Sequence, residues 1–167
     1  GGLFGKRWVG LLSALFLVLT PRYYGHAFFN HKDIPFAVCF LWSLYYILKG
    51  VGLLPRLPAR TLWATGLVIG SGLGIRIGGV VLLAYLYLFF ALRHVQLLNQ
   101  SGLLRNRTAW FSSVKQFFRH VVPITAIAYG IMLLCWPWAQ LHPLTRPFVA
   151  LYKFSRFPYD IRTYFEG

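Results

Sequence analysis

Long apolar segments separated by short basic connections dominate this chain. The longest apolar run lies between Arg60 and Arg93 and has 32 residues with one charge, Arg76. About 20 apolar residues are enough to cross a bilayer as a helix. The run therefore exceeds one span, and we expect it either to cross at a tilt as one helix over residues 61–92 or to bend.

Three further apolar segments predict membrane helices at about residues 8–20, 35–54 and 121–141. The first is short for a span: we expect it to cross beside other subunits where the bilayer is thinned, and the alternative is that it enters the bilayer partway. Asp33 is the predicted N-cap of the second helix, and residues 22–32 before it predict a loop. The predicted fold is all-α: a polytopic helical membrane protein with three to four transmembrane helices in a single domain, 1–167.

Residues 108–120 predict an amphipathic helix that lies in the membrane interface, followed by the last span. An aromatic stripe occupies one face and basic residues the other. A helix packed against a neighbouring subunit would show the same pattern. The candidate interfacial residues are Trp110, Phe111, Lys115, Phe117, Phe118 and Arg119. The remaining residues, 142–167, form a basic aromatic tail.

Four glycines of the longest run recur at every fourth position: Gly66, Gly70, Gly74 and Gly78. Residues four apart lie on the same side of a helix, so the glycines form one groove. Small residues in such a groove let another helix backbone approach closely. The sequence therefore predicts a helix-packing seam along this stripe.

Arg76 occupies the middle of the run, where facing lipid would cost at least about 2.5–3.5 kcal/mol. The chain has three acidic residues, and none falls in an apolar segment. We therefore expect a contact from outside the chain: a lipid, a quinone or a partner subunit. Arg93 and His94, at the end of the run, are further candidates for such a contact. Alternatively, the span begins near Ile77 and Arg76 extends to the interface.

Composition and charge favour a membrane protein with anionic partners. Apolar residues make up 57% of the chain, aromatic residues 19%, and the net charge is +14. Because the basic residues are spread over all connections, anionic lipids such as cardiolipin or other subunits of a large complex are the expected partners, and nucleic acid is not. Cys39 and Cys135 lie in separate apolar segments and predict neither a disulfide framework nor a metal site. No cofactor or metal is expected.

No catalytic set can be assembled from the sequence, because three acids leave little scope for paired carboxylates. Together with the absence of an initiator Met, this favours a non-catalytic accessory subunit of a multisubunit energy-transducing complex. We expect it in the mitochondrial inner membrane, in the respiratory chain or ATP synthase. A quinone- or haem-binding anchor of a respiratory enzyme and a component of a protein translocase or transporter are the alternatives. Orientation in the membrane stays open.

Overall fold

The computed structural model describes residues 7–29, 32–103 and 106–156, and almost all of them are helical, with no strand in these ranges. Two features of these helices are important: the helix break at Arg76 within the longest apolar run, and Pro123 inside the last long helix. The helices are α1 (Arg7–Leu19), α2 (Pro21–Phe29), α3 (Asp33–Leu53), α4 (Ala59–Ile75), α5 (Val80–Gln100), α6 (Arg107–Cys135), α7 (Pro137–Gln140) and α8 (Arg146–Ser155).

Helices α3 to α6 form a bundle in which α3 and α5 run one way and α4 and α6 the other. The rings of Phe40 and Tyr85 lie 6.3 Å apart near the start of α3 and α5. Near their other ends, a Cβ at Gly50 would approach the Phe90 ring at 3.0 Å, so α3 and α5 are parallel. The short connection after α3 makes α4 antiparallel to it.

The bundle core is a set of apolar side chains contributed by all four helices. In a bilayer these contacts act through close packing, since lipid tails are as apolar as the side chains. The residues of this core cluster are Ile47, Leu54, Ile69, Leu73, Leu82, Leu86, Phe90, Val121, Ile124, Ala128 and Met132.

Three stretches of helix are long and apolar enough to cross a membrane: Asp33–Leu53, Ile77–Gln100 and Arg107–Cys135. This confirms the predicted all-α polytopic membrane architecture. Helix α1 is apolar but has 13 residues, about 20 Å of helix against a hydrocarbon core of about 30 Å. Its crossing of the bilayer stays a prediction.

Of the two alternatives for residues 61–92, one continuous span is wrong and the bend is observed. Helix α4 ends at Ile75, Arg76 is extended with φ −144° and ψ 132°, and a 3-10 turn at Ile77–Gly79 leads into α5. The alternative in which the span begins near Ile77 agrees with the observed helix. The break follows from a cluster of glycines around Arg76, which weakens the helix there.

The boundary predicted at residue 120 is also wrong, because α6 runs without interruption from Arg107 to Cys135 and contains Pro123. The apolar stripe of its first turns continues into the buried positions Val121 and Ile124. A helix packed on α5 along that stripe gains more from continuing than from breaking at the proline. Residues 108–120 therefore begin a long bundle helix and do not form a separate one.

Three smaller predictions fail at the edges of the bundle. The expected loop before Asp33 contains α2, which starts at Pro21, where a missing N–H costs no hydrogen bond. Asp33 is the first residue of α3, and Lys32 occupies the N-cap position instead. The last span ends at Cys135, six residues early, and the predicted tail contains α8. The rest of the tail, 157–167, lies outside the described residues.

Candidate functional site

An ion pair joins Arg76 to Asp33. Arg76 Nη1 donates a hydrogen bond to Asp33 Oδ1. The two residues are 43 positions apart in sequence, and the pair joins the start of α3 to the break between α4 and α5. It lies at one end of the bundle, which we call the Arg76 end.

Two helix termini hold these opposite charges where each is favoured. Asp33 is in the first turn of α3, where the helix dipole stabilises an anion. Arg76 directly follows the last residue of α4, where the dipole stabilises a cation, and its N–H donates to the carbonyl of Gly72 at 3.0 Å. The dipole of each helix therefore supports the charge placed at its end.

Gly79 makes the chain reversal at Arg76 possible. A Cβ at this position would lie 3.0 Å from the backbone nitrogen of Leu73 and 3.1 Å from the carbonyl carbon of Gly72. Backbone atoms at that distance cannot move aside as a flexible side chain can. The N–H of Gly79 also donates to the carbonyl of Arg76 at 2.9 Å, which closes the turn that presents the guanidinium.

The ion pair is open to ligands and contributes little to stability. The side chains of Arg76 and Asp33 are 51% and 39% exposed. An exposed pair of this kind is worth about 0.2–1 kcal/mol. Asp33 is the only carboxylate of the described residues, and Arg76 is the only charge of the longest apolar run. Because their pairing adds so little stability, stabilisation alone is a weak explanation for it.

The chemistry available at the pair is proton acceptance beside anion binding. A carboxylate can take the proton of a hydroxyl group, and a guanidinium can bind two oxygens of a phosphate at once. Because Arg has five N–H donors, it can keep Asp33 as a partner while it binds an anion. Both functions are needed when a group bound to phosphate moves to an alcohol.

Sequence reasoning missed Asp33, which it assigned to a helix cap, and judged an internal ion pair improbable. The error came from placing Arg76 at the bilayer centre of an unbroken helix. Once the helix ends at Ile75, Arg76 lies at the same end of the bundle as the start of α3. The signal that could have found the pair is that Asp33 is the only acid before residue 160.

His94 lies towards the other end of the bundle, on α5 and away from Arg76. Its Nδ1 lies 3.2 Å from Ser113 Oγ, and its ring stacks on that of His120 with centroids 6.3 Å apart. Both histidines are more than nine-tenths buried. The Nε2 of His94, the Nδ1 of His120 and the Nε of Arg93 have no hydrogen-bond partner among the described residues.

The glycine stripe of α4 lies against α6. A Cβ at Gly66 would be 2.7 Å from Ile127 Cγ2, one at Gly70 would be 2.6 Å from the carbonyl oxygen of Ala128, and one at Gly74 would be 2.7 Å from Cys135 Cβ. Gly78 belongs to the 3-10 turn and faces α8 instead. Three of the four predicted seam glycines thus pack against one helix of the same chain.

The predicted interfacial residues of α6 divide into two groups. Phe117 is half-buried, with its ring 6.4 Å from that of Tyr87 and 6.0 Å from that of His94. The others are exposed on the outside of the bundle: Trp110, Phe111, Lys115, Phe118 and Arg119. Their contact with the membrane interface stays a prediction.

No three His, Cys, Asp or Glu side chains group where they could hold a metal ion within residues 7–29, 32–103 and 106–156. Cys39 and Cys135 are both free thiols.

The fold and the pair define an integral membrane protein with a charged, accessible site at one end of a helical bundle. A family model described as dolichyl-phosphate-mannose-protein mannosyltransferase matches residues 1–125 of the 167. The chain belongs to this family. Neither the curated proteins nor the solved structures contain a match to it.

Family membership overturns the function predicted from the sequence. The family is one of enzymes, as its name states, so the expectation of a non-catalytic accessory subunit is wrong. The family match also contradicts the predicted place in a respiratory complex, and it gives no support to the mitochondrial inner membrane. The error has a physical source: a search for paired carboxylates overlooks a site that uses one carboxylate and one arginine.

Proposed function

We propose that this protein is a membrane-embedded glycosyltransferase that moves a sugar from a polyprenyl-phosphate donor to a hydroxyl group of an acceptor. In the family name, the donor is dolichyl-phosphate-mannose and the acceptor is a protein. The observation that carries the proposal is the Asp33–Arg76 pair, which lies within the matched region, 1–125.

In this proposal Asp33 is the general base. The acceptor hydroxyl transfers its proton to the carboxylate as its oxygen bonds to C1 of the sugar. General bases of this kind contribute typically about 10²–10⁴-fold to a rate. The side chain of Asp33 is exposed enough to meet an acceptor from outside the bundle.

Arg76 serves the leaving group. As the bond between C1 and the phosphate oxygen breaks, the electron pair stays on that oxygen and the lipid phosphate gains negative charge. A guanidinium binds phosphate oxygens more strongly as that charge develops. It therefore stabilises the transition state more than the ground state and lowers the barrier. The position of Arg76 beside membrane-crossing helices suits a phosphate carried on a lipid.

Partners predicted from the sequence belong to the same proposal. The net charge of +14 favours anionic bilayer lipids around the bundle. Helix α1 has no buried residue, so other protein segments can pack against it. In the proposed transfer, Asp33 accepts the proton and Arg76 binds the phosphate, and no cofactor is assigned a part in it.

The test is sugar transfer by the purified full-length protein in lipid vesicles, with radiolabelled dolichyl-phosphate-mannose and a Ser/Thr-containing acceptor peptide. We expect labelled peptide from the wild type and from Arg56→Gln, a change at the other end of the bundle. Asp33→Asn should produce label at a rate lower by about 10²–10⁴-fold. Transfer by Asp33→Asn at the wild-type rate would refute the assigned site, and no transfer by any form, with every donor sugar tried, would refute the activity.

A further inference from the structure

A groove lined by apolar and aromatic side chains runs along the outside of α3. The groove has a volume of about 360 Å³ and is lined by Leu41, Trp42, Tyr45 and Tyr46. These residues recur at the spacing that places side chains on one side of a helix. Leu41 and Trp42 are more than half exposed, so the groove opens to the surroundings of the bundle.

A second cavity of about 250 Å³ adjoins the groove at Tyr46, which lines both. Its other lining residues are Lys49, Arg60, Thr61 and Ala64. Lys49 lies one turn beyond Tyr45, with its ammonium nitrogen 5.7 Å from the Tyr45 ring centroid and 5.9 Å from that of Tyr46. An apolar groove on α3 therefore lies beside a polar pocket that contains two cations.

The polar pocket lacks a neutralising acid. Asp33 is the only carboxylate of the described residues, and it is bound to Arg76. It lies 16 residues before Lys49 on α3, about 24 Å away along the helix. Among the described residues, Lys49 and Arg60 therefore have no carboxylate beside them, and the buried residue Thr61 completes the lining of the pocket.

We propose that these two cavities bind one anionic phospholipid of the bilayer, with its phosphate between Lys49 and Arg60 and an acyl chain along Trp42. Charge complementarity requires an anion in the pocket, and the adjoining apolar groove requires that the anion carry a hydrocarbon chain. Both cations lie at helix positions near a bundle end, where lipid headgroups are found.

The sugar donor is not the occupant of this site, although it is also a lipid phosphate. In the proposed reaction the donor phosphate must reach Arg76, which lies at the opposite end of α4 from Arg60. Helix α4 has 17 residues, about 25 Å of helix. A lipid held between Lys49 and Arg60 is therefore too far from Asp33 to react, and its site stands independently of the transferase activity.

The test is lipid retention by the full-length protein, measured by native mass spectrometry after extraction from vesicles of phosphatidylglycerol and phosphatidylcholine. We expect selective retention of phosphatidylglycerol by the wild type and by Arg56→Gln, a cation of the same end that lines neither cavity. Lys49→Gln or Arg60→Gln should weaken retention about fivefold each, and both together about thirtyfold. Lys49→Arg should restore it.

A second measurement locates the acyl chain. Brominated phosphatidylglycerol quenches tryptophan fluorescence on contact, and Trp42→Phe should remove a component of quenching that Trp63→Phe leaves in place. Equal retention by wild type and the double variant, equal retention of the two phospholipids, or quenching unchanged in Trp42→Phe would each overturn the proposal. Displacement of the bound phosphatidylglycerol by equimolar dolichyl phosphate would also overturn it, since the site would then hold the donor lipid.

Discussion

The two ends of the bundle are both basic, yet they differ in what accompanies the cations. At the Arg76 end, one guanidinium faces the carboxylate of Asp33, and the helix is broken so that both are accessible. At the other end, Lys49 and Arg60 line a pocket with no carboxylate of the described chain near them, and His94 is buried among aromatic rings. The presence of Asp33 thus makes the Arg76 end suited to chemistry, whereas the other end is suited to binding.

The difference shows why net charge alone is a poor guide to function in a membrane protein. A charge of +14 predicts attraction to anionic lipids at every basic connection. Proton transfer, in contrast, requires a group that can accept a proton at the working pH, and lysine and arginine cannot. Where acids are so rare, the position of a single aspartate distinguishes the two ends.

After the loss already expected for Asp33→Asn, the largest effect should come from breaking the Asp33–Arg76 pair from the arginine side. Arg76→Gln should lower the transfer rate by about 10²–10³-fold, because the leaving phosphate loses its charged donor. The midpoint of thermal unfolding should change little, since an exposed ion pair contributes about 0.2–1 kcal/mol. Steady-state rates and unfolding curves of the same preparations measure both.

A double-mutant cycle with Asp33→Asn distinguishes catalysis from structure. If the two groups act in one transition state, the combined loss should be clearly smaller than the product of the single losses. If Arg76→Gln instead lowers the unfolding midpoint substantially and leaves the rate of the folded protein intact, the pair is structural. The contrast between the two ends would then disappear.

The next largest effect should be on stability, through the glycine contact between α4 and α6. Gly70→Ala places a methyl group 2.6 Å from the carbonyl oxygen of Ala128 and 2.9 Å from its Cα, which only a shift of α4 against α6 can relieve. We expect a loss of about 1–3 kcal/mol in the free energy of unfolding, as for other overpacked sites. Thermal unfolding in detergent or steric trapping in bilayers measures it.

The matched control is Gly130→Ala, in α6. Nothing lies within 4 Å of a Cβ built at Gly130, and the backbone there is helical. Because alanine favours a helix by up to about 1 kcal/mol over glycine, this change should be neutral or stabilising. Equal stability of Gly70→Ala and Gly130→Ala would mean that the α4–α6 contact is looser than the structure describes.

The sequence predicted the all-α membrane architecture and the bounds of α3 well, whereas it predicted the breaks of the later helices and the functional site poorly. Length and apolarity determine whether a helix can cross a bilayer, and both are local properties. α3 was therefore placed to within two residues of its observed bounds, Asp33–Leu53. The glycine stripe was visible for the same reason, since its spacing is a property of one helix.

The site depends on two facts. The first is the break at Arg76, for which the sequence offered a bend or a span start near Ile77 as alternatives; close approach of Gly79 to the backbone of Leu73 turns the chain there. The second is the pairing of positions 33 and 76 across the bundle, which no local pattern contains. With Arg76 placed inside an unbroken span, Asp33 appeared to be out of reach, and no catalytic set was recognised. Similarly, the stacking of the His94 ring on that of His120, which lies on another helix, is a contact that no pattern within one helix could predict.

The smallest effect should come from the histidine end. Ser113→Ala removes the hydroxyl 3.2 Å from His94 Nδ1 and leaves that buried nitrogen without its partner. We expect a loss of about 0.5–1.5 kcal/mol in the free energy of unfolding. Ser112→Ala, one residue away on an exposed position of α6, is the matched control and should be neutral. Transfer by folded Ser113→Ala should equal that of the wild type, because His94 is 18 residues along the chain from Arg76 and lies at the other end of α5. A rate loss in Ser113→Ala without a loss of stability would show that the two ends are coupled in the reaction, and the separation of a chemical end from a binding end would have to be abandoned.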